Sequence, residues 1–243
     1  MPSYEEWNNA IATGGWLSWK SNRRSSSTLP ICYENAYHKM LKDIQTMKLV
    51  RRNDWKNQIA DARSLPLENA ICNAVITSPP YPNRHDYTRV FTVELMFGML
   101  NWKETRDLRY QTFESHPEAY PERPEHGEYN EPRFIKQSIK EIEKESPEKI
   151  VKMLHGYFLD LYLNLREVMR ILKPGGNAAY VVGNAQYCGI PVEVDRATAA
   201  IGEQCGLTCK EIRVVRLRGN SAQQMKIYGR NPSRESIVIL KKL

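Results

Sequence analysis

The residues of this chain best suited to chemistry are Thr77-Ser78-Pro79-Pro80-Tyr81. Consecutive prolines fix φ and remove backbone donors, so the Pro79 carbonyl is held in one direction. With the Ser78 hydroxyl it makes a pair of hydrogen-bond acceptors, and Tyr81 adds a flat ring beside them. Such a set suits an exocyclic amino group on an aromatic ring: the oxygens accept its N–H bonds while the phenol stacks on the base. The bland alternative is a proline-rich turn that merely ends a strand. Placement favours the chemical reading. The run 70–76, AICNAVI, is short, apolar but for Asn73 and contains β-branched residues, as expected of a central strand covered on both faces. In open α/β sheets ligands bind outside the carboxyl ends of the strands. Tyr81-Pro82-Asn83-Arg84-His85-Asp86-Tyr87 prolongs the loop, with Arg84 and His85 open either to phosphate or base contact or to a plain surface role.

The surrounding pattern predicts the elements that would hold this loop. Residues 4–11 read as a weak amphipathic turn and WLSWKSNRRSSST as a polar loop. Ala36, Tyr37, Met40, Leu41, Ile44 and Met47 have the spacing of one helix face. A short strand is expected over 58–62 and a buried helix over 90–100. The stretch 103–150 combines prolines with charge and is expected to be a surface insertion or lid. A long amphipathic helix is predicted from Ile150 to Leu172, stopped by Lys173-Pro174-Gly175-Gly176. Strands follow over 177–183, 212–217 and 236–240, with a helix over 191–205. Alternating strands and helices predict an α/β fold with a mostly parallel sheet, closed by an antiparallel pair at one edge.

Composition bounds the function. The 243 residues are 41% hydrophobic and 26% charged, which is ordinary for a globular chain. No apolar run approaches the ~20 residues of a membrane span, and MPSYEEWNNA does not read as a secretory signal. A cytoplasmic protein without membrane contact is therefore expected. The cysteines Cys32, Cys72, Cys188, Cys205 and Cys209 include no C-x-x-C pair and complete no zinc set, so buried thiols are expected and no metal. Formal charge is +7, and it is unevenly spread. Residues 114–149 carry ten acidic and six basic side chains, whereas 210–243 hold nine Lys/Arg against two Glu. A basic C-terminal third points to a polyanion, and Arg213, Arg216, Arg218, Lys226, Arg230 and Arg234 are its candidate phosphate contacts.

Taken together, TSPPY and the downstream LREVMRILKPGGNAAYVVGNA resemble the DNA methyltransferases that modify exocyclic amino groups, making N4-methylcytosine or N6-methyladenine. The serine form of the motif is similar to that of the N4-cytosine members. Asp61-Ala62-Arg63-Ser64-Leu65 resembles the segment that contacts the cofactor adenine, and EIRVVRLRGN with RNPSRESIVILKK resembles the closing strand pair. The resemblance spans about residues 57–243. It implies a Rossmann-like class I methyltransferase sheet and S-adenosylmethionine as cofactor. Ser78, Pro79, Pro80 and Tyr81 would be catalytic, and Asp61, Ala62 and Thr77 would contact the cofactor. Arg84, His85, Arg216, Arg218 and Arg230 would contact double-stranded DNA.

One part of the family pattern is missing: nothing here fits its glycine loop or the acidic residue after its second strand. The family strand order is 3-2-1-4-5-7-6, so strands 1 and 2 would leave a gap in mid-sheet, exposing unpaired backbone. A second polypeptide is expected to supply them, making this the catalytic-motif half of a split enzyme. Residues 1–56 would then form an interface or DNA-facing segment, ahead of a catalytic region 57–243 with its insertion at 103–150. Rival readings are a silent DNA-binding subunit of such a pair and an amino methyltransferase acting on adenine, RNA or protein glutamine.

Overall fold

The computed structural model describes residues 10–13, 16–19, 28–47, 55–83, 85–98, 101–125, 127–219, 226–229 and 231–243. They fall into two units, 1–59 and 60–243. In the first, β1 (Ala10–Thr13) and β2 (Trp16–Trp19) form an antiparallel pair, with Ala10 opposite Trp19. The expected polar loop is thus a strand at its start, since tryptophan, present twice in Trp16–Trp19, favours a pleated surface. Helix α1 (Thr28–Thr46) follows, and Tyr37, Met40, Ile44 and Met47 on its apolar stripe stay exposed.

The second unit contains the main core. Its elements run β3 (Cys72–Thr77), α2 (Tyr87–Val90), α3 (Thr92–Phe97), α4 (Trp102–Gln111), α5 (Arg133–Glu143), α6 (Glu148–Ile171) and β4 (Leu172–Gly183). Then come β5 (Ala185–Tyr187), β6 (Ile190–Val192), α7 (Val194–Gln204), β7 (Leu207–Arg218) and β8 (Ser233–Lys242). The main sheet has the order β3-β4-β8-β7, and β5 with β6 makes a separate hairpin. This is the 4-5-7-6 half of the order that the resemblance implies. Only β3 and β4 run parallel; β8 lies antiparallel between β4 and β7. The mostly parallel sheet expected from the element pattern is therefore not what these strands form, because the parallel half of the order is not among them.

Helix α6 carries the core. Met153, Leu154, Tyr157, Phe158, Leu161, Leu165 and Val168, at helical spacing, are all buried against β4, α7 and β8. Within the charged stretch 103–150, α5 sends Ile135, Ile139 and Ile142 into the same core, so this part is a packed layer rather than a surface lid. The helix expected over 90–100 breaks at Phe91 into α2 and α3. The helix expected from residue 191 starts at Val194, behind β6. At Gly175 φ is +82°, the left-handed turn expected of the Lys-Pro-Gly-Gly segment. A Cβ on Gly176 would stand 3.0 Å from the Asn73 carbonyl, which explains why glycine serves where β4 closes on β3.

Two findings bear on the site. Residues 58–62 form no strand; loop 61–70 is docked on α6 instead. Asn164 donates to the Ala62 carbonyl (2.8 Å), Arg170 to those of Leu65 and Leu67, and Glu167 accepts from the Leu65 N–H. Deeper, the fully buried Asp160 accepts from Arg63 (3.1 Å), Arg123 (2.9 Å) and the Glu114 N–H (2.8 Å). The second finding is that β3, expected to be covered on both faces, is an edge strand among the described residues, with Ile76 83% exposed.

Removing one partner of a buried charge cluster leaves the others uncompensated. Asp160→Asn is expected to cost about 3–5 kcal/mol in urea unfolding. Lys152→Ala, which breaks only the exposed Lys152–Glu148 pair on the same helix, is expected to change nothing measurable.

Candidate active site

The Ser78–Tyr81 segment leaves the end of β3 directly after Thr77, which pairs with Tyr180 of β4. Pro79 is buried, Pro80 and Tyr81 are half-buried, and Ser78 is exposed. Together with Tyr87 from α2 these four residues line an open cavity of about 410 Å³. That is enough for a nucleobase. Tyr87 lies parallel to Phe91 at 6.4 Å between ring centroids, adding an exposed aromatic surface to that wall.

Four strands hold the loop. The ring of Tyr81 lies on Gly183 at the end of β4, so closely that a Cβ there would come within 2.7 Å of Cε2. Its hydroxyl donates to Glu235 Oε1 of β8 at 2.9 Å, and Arg218 of β7 sits over the ring at 5.5 Å from its centroid. Tyr187 of β5 donates to the Pro82 carbonyl at 2.6 Å. Burial and the Glu235 hydrogen bond push the Tyr81 phenol above its ordinary range, against a smaller opposing effect of a Ser78 hydrogen bond. Arg216 bonds Glu235 and, against the effect of burial, holds its carboxyl below the usual range.

The far side of the loop is fixed by Asp86. It caps α2 through the Thr88 and Arg89 N–H groups, accepts from the Thr88 hydroxyl at 2.6 Å, and is bonded by Arg109 of α4. Burial alone would raise its pKa, but the Thr88 hydrogen bond, His116 and Arg109 together lower it.

The remaining expected site residues are distributed differently. Asp61 is half-exposed and chelated by its neighbour Arg63, through the backbone N–H at 2.8 Å and the guanidinium. Ala62 gives its carbonyl to Asn164, and His85 is exposed, its N–H on Asn83 at 3.1 Å. Arg216 and Arg218 meet the Ser78–Tyr81 loop through Glu235 and Tyr81. Arg84 and Arg230 lie outside the described residues. Among the described residues there is no group of three metal-ligating side chains, and none of the five cysteines is fully buried.

Sequence reasoning missed Gly183, Tyr187, Asp86 and Glu235. Only Glu235 left a trace, as one of two acids in a tail of nine Lys/Arg.

This chain is 34% identical to the Type II methyltransferase M.BsoBI of Geobacillus stearothermophilus over 88% of its own length and 48% of that protein. It is 30% identical to the Type II methyltransferase M.AvaI of Nostoc sp. over 72% of its length and 39% of that protein. The chain is a homologue of Type II DNA methyltransferases. It spans less than half the length of the curated relatives it matches. No protein-family model matches it. The structure of TTHA0409 from Thermus thermophilus covers 76% of this chain and 52% of its own at 15% identity, with a TM-score of 0.39, too loose to define a common frame.

Homology to methyltransferases implies S-adenosylmethionine as methyl donor. The residues of this methyltransferase homologue fit that molecule only in part. Its described left-handed glycines (Gly175, Gly189, Gly206, Gly229) lie at the start of β4, in the β5–β6 hairpin, after α7 and after residues 226–228, so none follows the carboxyl end of β3 or β4. Asp61, with half its side chain open, retains acceptor capacity for an adenine amino group.

Because Asp86 has a lowered pKa in the fold, its contribution to stability is complete above the ordinary Asp range near pH 4 and is lost as pH falls through the folded value. Urea midpoints of the parent chain and Asp86→Asn are expected to differ at pH 7 and to converge at acid pH.

Proposed function

We propose that this chain is the base-binding half of an S-adenosylmethionine-dependent DNA methyltransferase of a restriction-modification system, modifying the N4 amino group of cytosine in double-stranded DNA. The observation that carries this reading is the Ser78–Tyr81 loop, held on four strands beside a cavity of about 410 Å³. A base held in the duplex stack cannot reach such a cavity, so the target nucleotide is flipped out. The Ser78 oxygen and the Pro79 carbonyl then accept its amino hydrogens, which directs the nitrogen lone pair away from the loop. Stacking on Tyr81 contributes about 1–3 kcal/mol. The bound cofactor supplies an electrophilic methyl group. The amino nitrogen would need no prior deprotonation: its lone pair would take the methyl as the cofactor's S–C bond breaks to leave the neutral thioether, and the extra proton would then pass to solvent. Asp61, Ala62 and Thr77 would hold the cofactor, with Asp61 accepting from its adenine amino group.

The donor side is completed by a second polypeptide that carries the glycine loop and the first strands of the sheet. Its docking site is the outer edge of β3, where Ile71 and Ile76 are exposed. Residues 1–56 serve that interface or the DNA, and residues 57–243 form the catalytic region with the 103–150 insertion. His85, Arg216 and Arg218, together with Arg84 and Arg230, serve DNA contact. Among the described residues no helix is long and apolar enough to cross a membrane, which accords with DNA as substrate in the cytoplasm.

The test is to express the chain alone and with the protein that copurifies with it, then digest the cellular DNA and identify nucleosides by mass spectrometry. N4-methyl-deoxycytidine is expected only from the pair. N6-methyl-deoxyadenosine instead would reassign the base, and no methylated nucleoside would support a silent subunit. Ser78→Ala is expected to lower turnover by about 10- to 100-fold, as loss of a hydrogen bond to a group gaining charge implies.

A further inference from the structure

The sheet register lines up Gly183 of β4, Glu235 of β8 and Arg216 of β7 as consecutive partners across three strands. A register shift between Val214 and Arg216 creates this alignment. Bulges of this kind re-aim side chains beside functional sites. Two residues further on the same strand face, Arg218 brings its Nη1 to 3.9 Å from Glu235 Oε1. Glu235 is 8% exposed, and both of its oxygens are engaged: Oε1 by the Tyr81 hydroxyl, Oε2 by Arg216. A carboxylate withdrawn from water at the end of a strand is costly unless paired. Here the cationic side of the pairing is the same pair of arginines that the basic tail offers to DNA.

We propose that Glu235 is a positioning residue for the methyl-transfer loop. Pinned by Arg216, its carboxylate holds the Tyr81 hydroxyl and so fixes the ring on Gly183 and the direction of the Ser78 and Pro79 acceptors. As far as turnover is concerned, this rests on the amino-methylation reading above. It also gives Arg216 and Arg218 work within the protein, bracing the loop from β7, besides any phosphate contact.

The test combines turnover with a readout that needs none. In the complex with the glycine-loop protein, Tyr81→Phe and Glu235→Ala are each expected to lower kcat about tenfold with KM for DNA unchanged. The double variant is expected to fall no further, because Glu235 acts through the phenol. Losses that multiply, or a Glu235→Ala complex with the parent kcat, would overturn the proposal. In the full chain alone, 3-fluorotyrosine at position 81 is expected to show a displaced, single 19F resonance that moves in Glu235→Ala. An unmoved resonance also overturns it. If the parent complex methylates no DNA while the resonance moves as expected, the amino-methylation reading fails and the clamp stands. Should Glu235→Ala not fold, Glu235→Gln keeps the size and one acceptor oxygen but loses the charge and the second acceptor that pair with Arg216. Smaller changes in the same two readouts are then expected, and their absence overturns the proposal.

Discussion

A carboxylate buried in a protein core must be paired, and at Asp160 that requirement organises the second unit. Its partners come from far apart in sequence: Arg63 from the loop before β3, and Arg123 with the Glu114 N–H from the segment between α4 and α5. Arg63 in turn chelates Asp61 and donates to the Gln111 carbonyl. One charge in the middle of α6 thus fastens two irregular segments to the helix that carries the core. Apolar packing could hold α6 against the sheet without it, but it would not set where those loops lie. The region ahead of β3 is therefore a docked loop rather than a strand, its backbone groups satisfied by side chains of α6.

The Ser78–Tyr81 loop is held by a different device. Its two prolines stiffen the chain locally, but its orientation comes from the ends of neighbouring strands. Gly183 is small enough to receive the Tyr81 ring, Glu235 holds its hydroxyl, and Tyr187 holds the carbonyl of Pro82. Rigid strands set these contacts, and a site built on strand ends is placed more closely than one built within a free loop. Asp86 closes the other side by capping α2 and binding Arg109. The segment from Ser78 to Tyr87 is consequently tied at both ends while its cavity face stays open.

What could be read from the sequence follows from the range of the interactions. Ser78–Tyr81 was legible because proline, hydroxyl and phenol sit together, directly after an apolar run. The long helix was legible because seven buried side chains repeat at helical spacing. Glu235 was not, since its meaning depends on a register that pairs it with residues 183 and 216 and brings it to Tyr81. Tyr187 and Asp86 were hidden in the same way. The strand expected over 58–62 failed because its local pattern cannot reveal that Asn164, Glu167 and Arg170 supply the backbone partners instead. The prolines and charges of 103–150 suggested a surface lid, yet three isoleucines at i, i+4 and i+7 put α5 in the core.

The run AICNAVI shows a subtler mismatch. Its composition is that of a strand covered on both faces, yet Ile76 stands 83% exposed at a sheet edge. The residues specify an environment that the described part of this chain does not provide. The basic tail carries the converse lesson. Its formal excess of cations is reduced by internal pairing: Arg213 with Glu211, Arg216 with Glu235, and Arg234 with Glu193 and Asp195. Counting charges therefore overstates how many cations stand free to meet a polyanion. The same pairs leave arginines along β7 and beside the Ser78–Tyr81 loop. An anion approaching there would compete with Glu235 for Arg216, and so with the hold on Tyr81.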